Sequence, residues 1–133
     1  MTGYLIALES ADDQHHDAAI RHWNEFIRQR PELVTTSFVL DEVVTFFVTR
    51  GRHAKGVEIA ERLLQSSSVQ VEHVNEELFL AAFEFLKTRR DKGFSRTDCV
   101  SFVLMDRFSI RGDLAFDGHF EQAGFTRLPL ARR

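Results

Sequence analysis

Apolar and polar positions change period several times along the chain. Ala18, Ala19, Trp23, Phe26 and Ile27 recur three and four residues apart, with Arg21, Glu25, Arg28 and Gln29 on the other side. The stretch from Asp12-Asp13 to about Arg30 therefore reads as an amphipathic helix, closed by Pro31. Leu33-Val34-Thr35-Thr36 is short and β-branched, which predicts a strand, and Ser37 is placed to cap a following helix from Phe38 to Arg50. On that helix Val39, Leu40, Val43, Val44, Phe46, Phe47 and Val48 cover most of the circumference. They leave one narrow polar strip made of Asp41, Glu42, Thr45 and Thr49. A helix apolar nearly all round is mostly buried, so its polar strip faces solvent or a cleft.

Gly51 breaks that helix, and a basic connection, Arg52, His53 and Lys55, leads into another helix from Lys55 to Gln65. Val69 to Val74 alternates as a half-exposed strand, and Asn75 caps a helix from Glu76 to Arg90. Ser95-Arg96-Thr97-Asp98 has the spacing of a capping box, in which the serine accepts a backbone N–H and the acid reaches back to the cap. The helix it opens runs through Phe102, Val103, Leu104, Met105 and Phe108 to a stop at Arg111-Gly112. Leu114-Ala115-Phe116 then predicts a short buried strand ending at Asp117-Gly118, and Phe125 to Leu130 a last one. At the other end, Thr2 to Leu8 is a short apolar segment with a polar exit, Glu9 to Asp13. Strands alternating with helices imply an α/β fold with a parallel sheet covered on both faces.

A length of 133 residues fits a single domain, 1–133, large enough to bury a core. No apolar run approaches the roughly 20 residues of a membrane helix, and no basic, apolar, small-residue leader opens the chain, so a cytoplasmic protein is expected. The lone Cys99 allows no internal disulfide and, inside an apolar helix, reads as packing. Thirteen phenylalanines against one tyrosine and one tryptophan point to a Phe-rich interior or interface. The net charge of −3 argues against a general nucleic-acid coat, since many phosphate contacts require a basic surface. Acids that hold divalent ions could still act on a phosphodiester.

There is no glycine-rich phosphate loop, no H-E-x-x-H and no cysteine pair, which excludes nucleotide switching and structural zinc as readings. His15, His16 and His22 read as surface histidines of an amphipathic helix. The acids remain. A capping box accounts for Asp98, a turn accounts for Asp117, and a solvated strip accounts for Glu42, each taken alone. Together, all three stand at strand ends or helix starts, which in a parallel sheet share one edge. Carboxylates converging there repel one another unless a hard cation lies between them, and oxygen-only donors suit Mg²⁺ or Mn²⁺.

TGYLIALESADDQHHDAA, TTSFVLDEVV, FSRTDCVSFVLM and LAFDGHFEQAGF together resemble the PIN-domain family, in particular its VapC-like ribonuclease toxins, over nearly the whole chain. The resemblance implies a three-layer α/β/α domain around a central parallel sheet and an endoribonuclease using Mg²⁺ or Mn²⁺. It implies Glu42, Asp98 and Asp117 as metal-binding catalytic acids. It also implies an antitoxin protein as partner and a homodimer. The family's first acid, an aspartate closing its first strand, falls where Met1 stands. TGYLIAL thereby becomes the start of the first helix, with the first strand missing or truncated and expected in residues upstream. The alternative is a catalytically inactive PIN-fold binding module lacking that acid. Arg50, Arg52 and Lys55, with Lys87, Arg89, Arg90 and Lys92, are candidates to guide RNA, or else complement helix dipoles.

Overall fold

The computed structural model describes residues 1–90 and 92–129, arranged as two units that part between Glu72 and His73. The first holds helix α1 (Thr2–Glu9), α2 (His16–Phe26) with a 3₁₀ turn Ile27–Gln29, strand β1 (Leu33–Thr36), α3 (Ser37–Thr49), α4 (His53–Gln65) and β2 (Val69–Glu72). TGYLIAL is helical, as the resemblance implies. Leu5 and Ile6 of α1, Val39, Val43 and Phe47 of α3 and Ile59 of α4 form the core, with Met1, Phe46 and Leu63 packed on it. A Cβ on Gly56 would lie 3.2 Å from the Val44 carbonyl oxygen, so glycine there allows α4 its close approach to α3.

Several local expectations shift by a residue or two. The cap of α3 is Thr36, whose hydroxyl accepts from the Val39 N–H at 3.2 Å, while Ser37 is already helical. Helix α2 starts at His16, because the Asp13 carboxylate accepts the His15 N–H at 2.8 Å and fixes a turn before it. On α3 the apolar coverage exceeds the burial available, and Val48 stays 40% exposed. Gly51, at φ 74°, makes the turn the sequence assigns to it. The histidines of α2 hold α1: His16 Nδ1 donates to the Ala7 carbonyl at 2.7 Å, and Tyr4 Oη lies 2.6 Å from His22 Nδ1. Burial pushes the Tyr4 hydroxyl up to about 12 and lowers His22, favouring the neutral form of each. Strands β1 and β2 pair in parallel, from Leu33 opposite Val69 to Thr36 opposite Glu72, where β2 ends short of the expected Val74.

The second unit holds α5 (Glu76–Thr88), α6 (Arg96–Arg107), β3 (Gly112–Leu114), α7 (His119–Gln122) and β4 (Thr126–Leu128). Asn75 caps α5 through the Leu78 N–H at 2.9 Å. The capping box of α6 is present in both directions, Asp98 N–H to Ser95 Oγ at 3.0 Å and Ser95 N–H to Asp98 Oδ2 at 3.1 Å. Phe102, 1% exposed, sits among Phe94 and Phe120, each 4.9 Å away by ring centroid, and Phe85 and Phe125, each 5.7 Å away. Part of the phenylalanine excess is thus interior, while Phe79, Phe83 and Phe108 are exposed. Cys99 is fully buried in α6, and burial pushes its thiol up, which leaves it a packing residue.

Helix α6 ends at Arg107 rather than at Gly112: Ser109, in left-handed conformation at φ 55°, turns the chain, and Gly112 opens β3. Strand β3 therefore runs Gly112–Leu114, ahead of the expected Leu114–Phe116, and pairs in parallel with β4 from Gly112 opposite Thr126 to Leu114 opposite Leu128. Of the last expected strand, Thr126–Leu128 is seen, and Leu130 lies outside the described residues. The parallel pairing implied by the alternation is found as two two-stranded sheets, one in each unit. Among the described residues no helix is long and apolar enough to cross a membrane.

Candidate active site

Cap and core of α3 together turn its polar strip outward, so that Asp41, Glu42, Thr45 and Thr49 are exposed. Glu42 is held: Thr2 Oγ1 donates to its Oε1 at 2.7 Å, leaving Oε2 without a partner among the described residues. The strip lines an open concavity of about 470 Å³, completed by Thr2, Ile6, Phe46 and Arg50.

In the second unit the capping box fixes Asp98 at the start of α6. Its Oδ2 accepts the Ser95 N–H and lies 2.9 Å from His119 Nδ1, and its Oδ1 has no partner among the described residues. Asp117 lies beyond the end of β3, where its Oδ1 accepts the His119 N–H at 2.9 Å. His119 Nδ1 stands 3.9 Å from that same oxygen, so one histidine brings the two predicted aspartates together. The Phe94 ring meets the imidazole edge-on at 5.7 Å and steadies it. Each of the three predicted acids is thus pinned by one oxygen and presents the other.

Asp113 escaped the sequence reading. It lies within β3, 8% exposed, and burial, with the charges of Asp117 and Asp98 adding to it, pushes its carboxyl up to about 6. The available signal was an acid four residues before Asp117, within the short strand that leads to it. Between the unfolded value of 3.8 and about 6 the folded state binds the extra proton, so this group stabilises the fold as pH falls. Between about pH 7.5 and 5, chemical denaturation in EDTA should therefore show wild type gaining about 1 kcal/mol relative to Asp113→Asn, a comparison in which the opposing effect of the lowered His22 cancels. An unchanged pH profile in that variant would contradict the assignment.

Among the described residues no three His, Cys, Asp or Glu side chains form a ready ion cage. The donor chemistry nevertheless suits a hard divalent cation: Asp98 and Asp117 meet about His119, the charges of both act on Asp113, and the donors are carboxylate oxygens. The expected basic residues have varied surroundings. Lys55 pairs with Glu9 at 2.9 Å, and Arg62 joins the same carboxylate. Burial alone would raise Glu9, but these two cations hold it below its ordinary value. Arg52 lies over Phe47 at 5.1 Å and Arg89 over Phe85 at 4.5 Å, while Arg90 and Lys92 are exposed.

The PIN domain pattern matches residues 2–125. A 23S rRNA-specific endonuclease, VapC20 of Mycobacterium tuberculosis, is 35% identical over 127 residues, spanning 96% of this chain and 94% of that protein. The same holds for the VapC20 sequences of both M. tuberculosis strains compared. The crystal structure of M. tuberculosis VapC20, described as a toxin that cleaves the sarcin–ricin loop, superposes with a TM-score of 0.83 at 34% identity, covering 94% of this chain and 93% of that one. With that extent of match in sequence and fold, the chain belongs to the PIN-domain family.

Proposed function

We propose that this chain is a metal-dependent endoribonuclease, the toxin of a toxin–antitoxin pair, and that residues 1–133 work as a single PIN-like domain in the cytoplasm. The observation that supports it best is the state of the three acids: Glu42, Asp98 and Asp117 each have one carboxylate oxygen fixed by a hydrogen-bond donor and the other without a partner among the described residues. Carboxylates that serve only as caps or turns have no need of a second orienting group, whereas Asp98 has both the Ser95 N–H and His119.

In this reading Glu42, Asp98 and Asp117 are the ligands of Mg²⁺ or Mn²⁺. When bound, the ion supplies charge neutralisation at the scissile phosphate and acidifies a water. The chain's own residues set the stage. Thr2 fixes the rotamer of Glu42, Ser95 and His119 fix that of Asp98, and the His119 backbone fixes that of Asp117. Asp113, buried and within the influence of both aspartate charges, carries a proton part of the time near pH 6 and limits the negative charge when no cation is present. Arg52, Lys55, Arg89, Arg90 and Lys92 are the candidate RNA contacts, and an antitoxin protein and a second copy of the chain the candidate partners.

The likeness to a 23S rRNA endonuclease makes the sarcin–ricin loop of 23S rRNA the first substrate to offer. Incubation of the purified protein with ribosomes and Mg²⁺ or Mn²⁺, followed by primer extension, should reveal a discrete new 5′ end in that loop. Intact 23S rRNA together with intact single-stranded RNA under the same conditions would overturn the ribonuclease reading.

A further inference from the structure

The C-terminal end of α3 carries an arrangement that the acid site does not use. Arg50 folds back so that its guanidinium carbon lies 3.7 Å from the centroid of the Phe46 ring, a stacking distance. Its Nη1 donates to the Phe46 carbonyl at 3.1 Å and to Thr49 Oγ1 at 3.4 Å, and Thr49 in turn donates to the Thr45 carbonyl at 2.8 Å. The plane is therefore preorganised. Arg50 is exposed and has no carboxylate partner among the described residues, in contrast to Lys55 and Arg62, whose charges go to Glu9. The stack stands in the same 470 Å³ concavity as Glu42, about two helical turns or roughly 12 Å along α3.

We propose that this concavity is a nucleotide subsite in which one unstacked base of a single-stranded RNA lies on the Arg50–Phe46 stack while the strand continues toward Glu42. The inference rests on the ribonuclease reading and extends it to how substrate is held. Single-stranded RNA is recognised by stacking of splayed bases on aromatic and guanidinium planes, with little dependence on sequence. The volume is of the size that takes a small ligand. The guanidinium supplies the positive charge that the neighbouring Asp41 and Glu42 lack.

The test uses a fluorescently labelled single-stranded oligoribonucleotide containing 2-aminopurine, titrated with the full chain in EDTA so that binding is read without cleavage. Wild type should bind with a change in 2-aminopurine emission as the base transfers to the stack. Arg50→Gln and Arg50→Lys should each weaken binding by about tenfold and abolish that change. With Mg²⁺ present the loss should fall on KM rather than kcat. A residue that only caps α3 would lower the melting temperature and leave RNA affinity as it was. Full affinity and emission change in Arg50→Lys would reduce the contact to a point charge and overturn the proposal, as would unchanged binding in both variants. A wild type that neither binds nor cleaves RNA overturns the ribonuclease reading as well, whereas a wild type that does both beside unaffected variants overturns this inference alone.

Discussion

Asp98→Asn should lower magnesium-dependent RNA cleavage by roughly a thousandfold while the protein stays folded. The magnitude follows from the several kcal/mol of transition-state charge stabilisation a bound ion supplies, about 4 kcal/mol corresponding to a factor of a thousand. The amide is isosteric but brings no charge to the cation. Because Asp98 also closes the capping box of α6, its loss should cost up to about 1 kcal/mol of stability as well. Asp117→Asn separates the two effects. Asp117 is outside any helix, its side chain is 56% exposed, and an amide oxygen can still accept the His119 N–H. It should lose cleavage comparably with no change in melting temperature. Steady-state cleavage and thermal melts on the two variants check this, and near-wild-type cleavage in either would remove that carboxylate from the metal site.

Phe102→Ala should destabilise the protein by about 3–5 kcal/mol, the usual cost of deleting a fully buried aromatic side chain. Phe102 joins four other phenylalanine rings within 5.7 Å by centroid, and two of the contacts are edge-to-face, so dispersion and ring electrostatics are lost together. Phe94, one of the four, also bears on His119. The variant should therefore lose the order of the aspartate site along with stability. Urea denaturation should place its midpoint well below that of wild type. A shift worth under about 1 kcal/mol would mean that the cluster repacks around the cavity.

Helix starts were the most legible part of the fold, because a cap is a local bargain between a side chain and backbone three residues on. Asn75 and the Ser95–Asp98 box act as the spacing predicts. Thr36 in place of Ser37 shows the limit, since two adjacent hydroxylic residues compete and the strand before them decides. The β3 segment was misplaced for a different reason. Leu114-Ala115-Phe116 is the apolar run, but ladder register belongs to the partner strand, and Gly112 to Leu114 is what pairs with β4. That shift hid Asp113, which beside Gly112 looks like a turn residue and is in fact buried. Contacts between distant positions were equally out of reach. Nothing near His119 in sequence announces Asp98, nothing near Glu42 announces Thr2, and the pattern of α4 could not show that Lys55 is already paired with Glu9.

The three candidate acids were picked out by position and by resemblance, and the way each is held was not. Their role stands on the metal. Cleavage of single-stranded RNA by the wild-type protein should be absent in EDTA, appear on titration with Mg²⁺ or Mn²⁺ and vanish again when chelator is added in excess. Cleavage at the same rate with the divalent ions removed would contradict the account.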